Sequence, residues 1–248
     1  MIPLKDYNPT RTFPIVTVIL IAINVGVYFL VQRPSNELRF NYSYAAIPCE
    51  VIDRQPLSEE EISRTFDRGD TESCVRNDTT PPVFPDKNVY LSLLYSMFLH
   101  GSILHIAGNM LFLWVFGNNI EDRMGVPAYL AFYLVAGLVA SAAHIAVQPD
   151  STIPVVGASG AVAGVMGAYL VLFPHVRIRT LFIFILVLFR DIQAKWLLGF
   201  WFVLQFFTSP DEGVAWVAHV GGFVFGALVA LALRDRLRPA PVDPSPAY

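Results

Sequence analysis

Six apolar segments, each near the length needed to cross a bilayer, constrain this chain more than any other feature. A membrane-spanning helix needs roughly 20 mainly apolar residues. With 54% apolar and 15% charged residues, the chain is too apolar for a soluble domain of 248 residues. We therefore predict an all-α membrane protein, a six-helix bundle with spans at 13–31, 99–118, 128–147, 156–173, 194–207 and 214–233.

A seventh apolar run, at 181–189, reaches only about half the length of a span. Arginines flank it on both sides, so we interpret it as an interfacial segment or as an extension of the fifth span. The first apolar run follows Lys5 and Arg11 and could be a signal peptide. It is long, however, and Gln32-Arg33-Pro34 is a poor cleavage site. We therefore favour an uncleaved first helix.

The charges in the short connections predict the orientation. Lys and Arg in short connections mark the cytoplasmic side of membrane proteins. Those in the chain ends and short connections here all fall on one side if both termini are cytoplasmic. The other side then holds the long acidic segment 32–90, which we call the outer loop. We predict a cytoplasmic N-terminus (1–12), a membrane domain (13–233, including the outer loop) and a cytoplasmic tail (234–248) in a bacterial cytoplasmic membrane. The net charge of −3 gives no sign of a nucleic-acid partner.

The outer loop contains both cysteines of the chain, Cys49 and Cys74. Outside the cytoplasm this favours a disulfide, and the alternative is two free thiols. Ser58 stands three residues before Glu61, the pattern of a capping box, so a short helix is expected to start there. We interpret the run Glu59-Glu60-Glu61 as a solvated face.

Ser159 and His219 lie in the fourth and sixth predicted spans, where an unpaired polar group is costly. In the predicted orientation both spans run inward, which places both residues roughly 5–10 Å below the outer edge at about 1.5 Å per residue. A serine beside a histidine has a general base and can act as a nucleophile. The alternatives are a helix-packing serine and a core histidine. Glycines spaced by three and four residues predict close packing of these two spans, at Gly157, Gly160, Gly164, Gly167, Gly222 and Gly226.

His105 and Asn109 in the second span are spaced i, i+4 and so share one helix face. For His100, His144 and His175 we expect interfacial or solvated imidazoles. A metal site is a weaker alternative, because the chain has no His-Glu-x-x-His pattern and no thiol within a span. A transporter would normally need an acid within a span. We predict no metal and no cofactor.

Three separated motifs resemble the rhomboid family of intramembrane serine proteases. They are His105-Ile106-Ala107-Gly108-Asn109, Gly157-Ala158-Ser159-Gly160 and Ala218-His219-Val220-Gly221-Gly222. The resemblance covers most of 90–233 and implies a six-helix core that cleaves single-span transmembrane proteins near the outer membrane face through a Ser–His dyad. It implies Ser159 as nucleophile and His219 as general base. It further implies that His105 and Asn109, with the Ser159 N–H, stabilise the oxyanion.

The sequence departs from the family at Ala163, where an aromatic residue that packs on the catalytic imidazole is common. The outer loop also lacks the family's Trp-Arg pair. Two other classes compete with the protease: an inactive relative that binds transmembrane clients, and a channel or transporter. Because cleavage consumes water, we expect the spans to surround a cavity that is open to the outer side and that substrates enter sideways from lipid. The fifth span, 194–207, is rich in aromatics and has one glycine, so we expect it to be the weakest wall of this cavity. We expect 208–213 to form a lid over the cavity.

Overall fold

The structure is a computed structural model that describes residues 1–32, 37–75, 79–183, 187–208 and 215–237. A bundle of apolar helices carries a small sheet at one end and the outer loop at the other. In chain order the described elements are β1 (Ile2–Asp6), α1 (Ile15–Gly26) with a π-helical continuation (Val27–Gln32), α2 (Glu37–Tyr44), α3 (Pro48–Asp53), α4 (Glu59–Arg68), α5 (Leu91–Ser96), α6 (Ile103–Met124), α7 (Val126–Val147), α8 (Ser159–Leu172), β2 (Arg177–Ile183), β3 (Val187–Gln193), α9 (Ala194–Gln205), α10 (Trp216–Ala232) and α11 (Arg234–Leu237).

Each of the six predicted spans contains a helix, namely α1, α6, α7, α8, α9 and α10. Among the described residues, α1 with its π-helical continuation, α6 and α7 are long and apolar enough to cross a bilayer. Helices α8 and α10 are equally apolar but shorter, with 14 and 17 residues. Large apolar side chains point outward from this bundle, as in Leu30, Trp196 and Leu228. An apolar exterior of this extent is typical of a surface that meets lipid.

Helices α8 and α10 approach so closely that only glycine fits between them. A Cβ at Gly222 would collide with the carbonyl oxygen of Gly160, and one at Gly226 with that of Gly164. A Cβ at Gly167 would meet the carbonyl oxygen of Phe223. The close packing predicted from the glycine spacing is therefore confirmed.

The all-α prediction is wrong, because β1, β2 and β3 form a three-stranded antiparallel sheet. The short apolar run 181–189 contributes its described residues, 181–183 and 187–189, to the strands β2 and β3, so the prediction that it extends the fifth helix is wrong. Its location at a membrane interface stays a prediction. A strand forms here because buried and exposed residues alternate along the start of β2. Ile178 and Thr180 are buried, whereas Arg177 and Arg179 are exposed. This alternation suits a strand with one buried face.

The opposite end of α8 from Ser159 is tied to β1 and α6 by a buried hydrogen-bond cluster. Asp6 Oδ2 accepts from Tyr169 OH at 2.9 Å and from Asn119 Nδ2 at 2.5 Å. Asn119 Oδ1 accepts in turn from Asn8 Nδ2. Burial raises the pKa of Asp6, although both donors act to lower it. Every member of this cluster is paired, so it fixes the N-terminal strand against the bundle.

The outer loop is more structured than predicted. The capping box is confirmed: Ser58 Oγ accepts from the Glu61 N–H, and the Glu61 carboxylate accepts from the Ser58 N–H. The interpretation of 59–61 as a solvated face is wrong for Glu61, which is buried and also accepts a hydrogen bond from the Val75 N–H. A buried ion pair joins Glu50 to Lys87, with 2.5 Å between Oε2 and Nζ. The Cys49 and Cys74 sulfurs are bonded, with 5.7 Å between the Cα atoms.

Candidate active site

Ser159 and His219 meet between α8 and α10, with 2.8 Å between Ser159 Oγ and His219 Nε2. Ser159 is the first residue of α8, and His219 lies in the first turn of α10. The glycine contacts described above bring the two backbones together, so even the short serine side chain reaches the imidazole. This separation is within hydrogen-bond range and suits proton transfer between a nucleophile and its base.

The second nitrogen of His219 is also occupied. His219 Nδ1 lies 2.7 Å from Oε1 of Gln205, the last residue of α9. The Trp201 ring packs beside the imidazole, with 5.8 Å between ring centroids. Residues of α9 therefore contact the imidazole, whereas position 163, where the resemblance implies an aromatic residue, is alanine. Ala163 itself is fully buried in the core.

Sequence reasoning missed Gln205, although a signal was present. Gln205 is the only amide or hydroxyl side chain in 194–207, and a polar group in a predicted span is unusual enough to merit a functional hypothesis. Gln205 is also the only side chain of this segment with an oxygen that can accept a hydrogen bond from an imidazole N–H.

His105 and Asn109 line the same cavity as Ser159 and His219. Ser102 accepts from the His105 N–H at 3.1 Å and starts α6, which sets the position of both residues. Gly157 lies against the His105 ring with φ +123°, and a Cβ there would approach His105 Nε2 to 2.8 Å. Glycine is therefore required at this position.

His105 and Asn109 of α6 each have a side-chain nitrogen without a described hydrogen-bond partner. The Gly101 N–H points at His105 Nδ1 at 3.4 Å, which leaves His105 Nε2 as the N–H that faces the cavity. Asn109 is mostly buried, and within the described part of the chain its Nδ2 has no hydrogen-bond partner. His105 and Asn109 thus bring two side-chain donors to the lining of the cavity that also contains Ser159.

The remaining histidines divide into two groups. His175 is exposed, as expected. The expectation was wrong for His100 and His144, which are buried. The His100 ring packs edge-on against His105, with 5.2 Å between ring centroids, and His144 lines the cavity. The sequence pattern along one segment could not show that His100 and His144 are buried, because other elements of the fold cover them.

The cavity has a volume of about 1020 Å³ and extends from Ser159 and His219 to Thr71 and Glu72 of the outer loop. Phe112 of α6 and Trp201 of α9 form part of its walls. A space of this size beside the two side chains is large enough for a segment of peptide. Of the predicted lid, 208–213, all but Thr208 lies outside the described residues.

The outer loop holds the segment that leads into Ser159. The Cys49 N–H donates to Ser151 O at 3.0 Å, and the Val155 N–H donates to Ala46 O at 2.8 Å. Thr152 is bonded through its N–H to Thr71 O at 2.9 Å. These bonds run along 151–155, so the position of Ser159 depends on a region far away in the sequence.

A comparison with known families decides what kind of protein this is. The model of the Rhomboid domain matches residues 87–236, more than half of the chain. The chain belongs to the rhomboid family. With its apolar helices, it is an integral membrane protein. The matched region of this rhomboid contains His105, Asn109, Ser159 and His219, whereas Cys49 and Cys74 lie outside it.

Several curated proteins resemble this rhomboid. It is 31% identical to "Rhomboid protease GluP" of Bacillus subtilis (strain 168) over 141 residues, 57% of this chain and 25% of that protein. It is 29% identical to "Rhomboid protease AarA" of Providencia stuartii over 150 residues, 55% of this chain and 53% of that protein. It is 30% identical to the human "Presenilin-associated rhomboid-like protein, mitochondrial" over 141 residues, 54% of this chain and 35% of that protein. The chain thus matches between a quarter and about half of the length of these relatives.

Proposed function

We propose that this rhomboid is an intramembrane serine endopeptidase that cleaves transmembrane proteins through a Ser159–His219 dyad. The observation that carries the proposal is the 2.8 Å separation of Ser159 Oγ and His219 Nε2 at the base of a large cavity. The family membership and the two relatives with "protease" in their names support it.

In the proposed reaction, Ser159 Oγ attacks the scissile carbonyl carbon and its proton passes to His219 Nε2. The tetrahedral intermediate carries an oxyanion. His105 Nε2–H, Asn109 Nδ2 and the free N–H of Ser159 at the start of α8 are the available donors. The imidazolium then protonates the leaving amine. Water hydrolyses the acyl-enzyme in a second step that uses the same base.

We further propose that α1, α6, α7, α8, α9 and α10 all cross the membrane, with both termini cytoplasmic and the outer loop outside. The short lengths of α8 and α10 support this arrangement, because their first turns then lie below the outer surface within the cavity. The pairing of β1 with β2 also supports this arrangement, because it places the basic residues Lys5 and Arg179 together at one end of the helix bundle, as expected for the cytoplasmic side. A bacterial cytoplasmic membrane remains the proposed location.

The proposed substrates are single-span proteins that enter sideways between α6 and α9. Phe112 and Trp201 stand on the two walls of the cavity. Phe202 packs on Phe223 of α10, with 4.7 Å between ring centroids, whereas Phe206 is 55% exposed. We therefore expect a smaller side chain at Phe202 to ease entry. A crosslink between the outer ends of α6 and α9 should block cleavage of a transmembrane substrate, and undiminished cleavage would rule out this route.

The experiment that tests the function compares wild type with Ser159→Ala in liposomes that contain a panel of single-span reporter proteins. Wild type should cleave, the variant should not, and a fluorophosphonate should label wild type at Ser159. Reporter binding without cleavage or labelling by wild type would instead favour an inactive, client-binding relative. Turnover by Ser159→Ala would contradict the dyad.

A further inference from the structure

We propose that Gln205 is a positioning residue that fixes the tautomer and orientation of the His219 imidazole. The proposal rests on the proposed protease function and adds a third residue to its dyad. Gln205 Oε1 lies 2.7 Å from His219 Nδ1, on the side of the ring opposite to Ser159. Gln205 is 7% exposed, so little solvent competes for this contact.

The orientation of the Gln205 amide is determined by its second partner. Gln205 Nε2 lies 2.9 Å from the backbone carbonyl oxygen of Trp201. A carbonyl oxygen can only accept a hydrogen bond, so the NH₂ group of Gln205 must face it. The amide oxygen must then face His219. This removes the ambiguity that usually attends a glutamine side chain.

The orientation of the amide sets the protonation of the imidazole. An amide oxygen can only accept, so His219 Nδ1 must carry the proton. In the neutral ring, Nε2 then has a free lone pair directed at Ser159 Oγ, 2.8 Å away. This is the tautomer that a general base requires. The opposite tautomer would leave two acceptors facing each other at Nδ1 and no base at Nε2.

Trp201 contributes twice to this arrangement. Its carbonyl oxygen holds the amide of Gln205, and its ring packs beside the imidazole of His219. One turn of α9 therefore supplies both the hydrogen bond and the aromatic contact to the base. The contacts from Gln205 and Trp201 thus hold the His219 imidazole, although position 163 is alanine.

The chemistry explains why an amide serves here. Serine proteases with a triad use a carboxylate for this role, and papain-like enzymes use a neutral asparagine. A buried carboxylate in a predicted span would carry a large desolvation cost. A neutral amide orients the ring and stabilises the imidazolium through its dipole, without adding a buried charge.

The test compares Gln205→Met and Gln205→Glu with wild type and with Gln193→Met, a control at the last residue of β3, directly before α9. The rate of fluorophosphonate labelling at Ser159 reports on the nucleophile without requiring lateral entry of a substrate. For Gln205→Met we expect labelling and kcat to fall about tenfold to a hundredfold, with KM unchanged, because a hydrogen bond to the developing imidazolium is lost. Gln193→Met should match wild type.

Gln205→Glu should change the pH–rate profile of labelling, which would not change if Gln205 had only a structural role. A carboxylate beside Nδ1 favours the imidazolium, so the acid limb of the pH–rate profile should move to higher pH while labelling at high pH is retained. Among the described residues, the other titratable side chains that act on His219 are His105 of α6 and His144 of α7. Both are present in every protein compared, so a difference in the limb reports on position 205.

The outcomes separate this inference from the proposed function. If wild type neither labels nor cleaves, the protease function fails. If wild type is active and Gln205→Met labels at the wild-type rate, the role of Gln205 is refuted and the dyad stands. If Gln205→Met does not fold, the Gln205→Glu profile decides, and an acid limb identical to that of wild type overturns the proposal.

Discussion

The two ends of helix α8 are held in opposite ways. At the Tyr169 end, the side chains of α8, β1 and α6 form a closed cluster around Asp6 in which each member is paired. At the Ser159 end, the hydroxyl has one described hydrogen-bond partner, His219, and Asn109 Nδ2 in the same cavity lining has no described partner. The position of the Ser159 end comes from backbone bonds between the outer loop and 151–155.

The Tyr169 end of α8 is therefore expected to contribute mainly to stability, and the Ser159 end mainly to reactivity. A saturated cluster stabilises the fold and offers nothing to a ligand. Donors left open beside a nucleophile are available to a transition state, in keeping with the pattern that functional sites keep unsatisfied groups. Changes at the Ser159 end should therefore alter rate more than stability, and changes at the Tyr169 end should do the reverse.

The largest effect is expected at the dyad. Ser159→Ala and His219→Ala should each abolish cleavage, and the double variant should lose little more, because either change removes the activated nucleophile. Thermal unfolding should remain close to that of wild type, since alanine suits closely packed helices. Cleavage of a reporter in liposomes and the melting temperature check both halves of the prediction. Additive losses would mean that the two residues act separately.

The next effect is expected at the open donors. Asn109→Ala and His105→Ala should each lower kcat by about 10²–10³, the loss typical of one oxyanion donor. Labelling by a fluorophosphonate should slow as well, because its adduct also places an oxygen among these donors. If both variants turn over at the wild-type rate, the shared face of α6 serves packing alone.

A third change tests the support that the outer loop gives to the Ser159 end. Lys87→Met leaves Glu50 as an uncompensated buried charge, a change that typically costs about 3–5 kcal/mol. The matched control is Arg64→Met, which breaks the more exposed i, i+4 pair with Glu60 and should cost about 0.3–0.5 kcal/mol. Hydrogen exchange of 151–155 should rise in Lys87→Met only. Equal exchange in both variants would show that the loop does not support this segment.

The disulfide gives a related but smaller effect. Reduction of the Cys49–Cys74 bond should destabilise the outer loop by roughly 3 kcal/mol in the chain-entropy model. We expect faster proteolysis within the loop, while catalysis at Ser159 survives at low temperature. Quantitative reaction of both cysteines with a thiol reagent before any reduction would contradict the bond.

The smallest effect is expected at the Tyr169 end. Tyr169→Phe removes one donor from Asp6 and should lower stability by about 1.5–3 kcal/mol when the carboxylate is ionised. The pKa of Asp6 is raised, so the ionised form is unfavourable in the folded state and stability falls as pH rises through that pKa. The difference between variant and wild type should therefore shrink at low pH. Activity per folded molecule should not change, and a loss would show that this end also affects Ser159.

The sequence predicted most of the bundle and the geometry of the site, for physical reasons. The helices at six apolar runs and the glycine contacts of α8 follow from local length and spacing. The approach of Ser159 to His219 follows from their matched positions on parallel helices. The β2–β3 hairpin was missed because apolar content in 181–189 outweighed the alternation before it. The lone amide of the fifth span marked Gln205 as unusual, but its partner depends on how the end of α9 meets α10, which no local pattern contains.

The glycine contacts between α8 and α10 also fix a helical register. Where Gly164 faces Gly226, the two helices are separated by backbone atoms alone, so neither can rotate or slide without a clash. One residue inserted between Ser159 and Gly164 would turn Ser159 by about 100° and shift it by about 1.5 Å. The serine would then face away from His219 even though every side chain of the site was still present. The glycine contacts thus set the position of Ser159 relative to His219, and the offset of five positions from Ser159 to Gly164 is as much a part of the candidate active site as the serine itself.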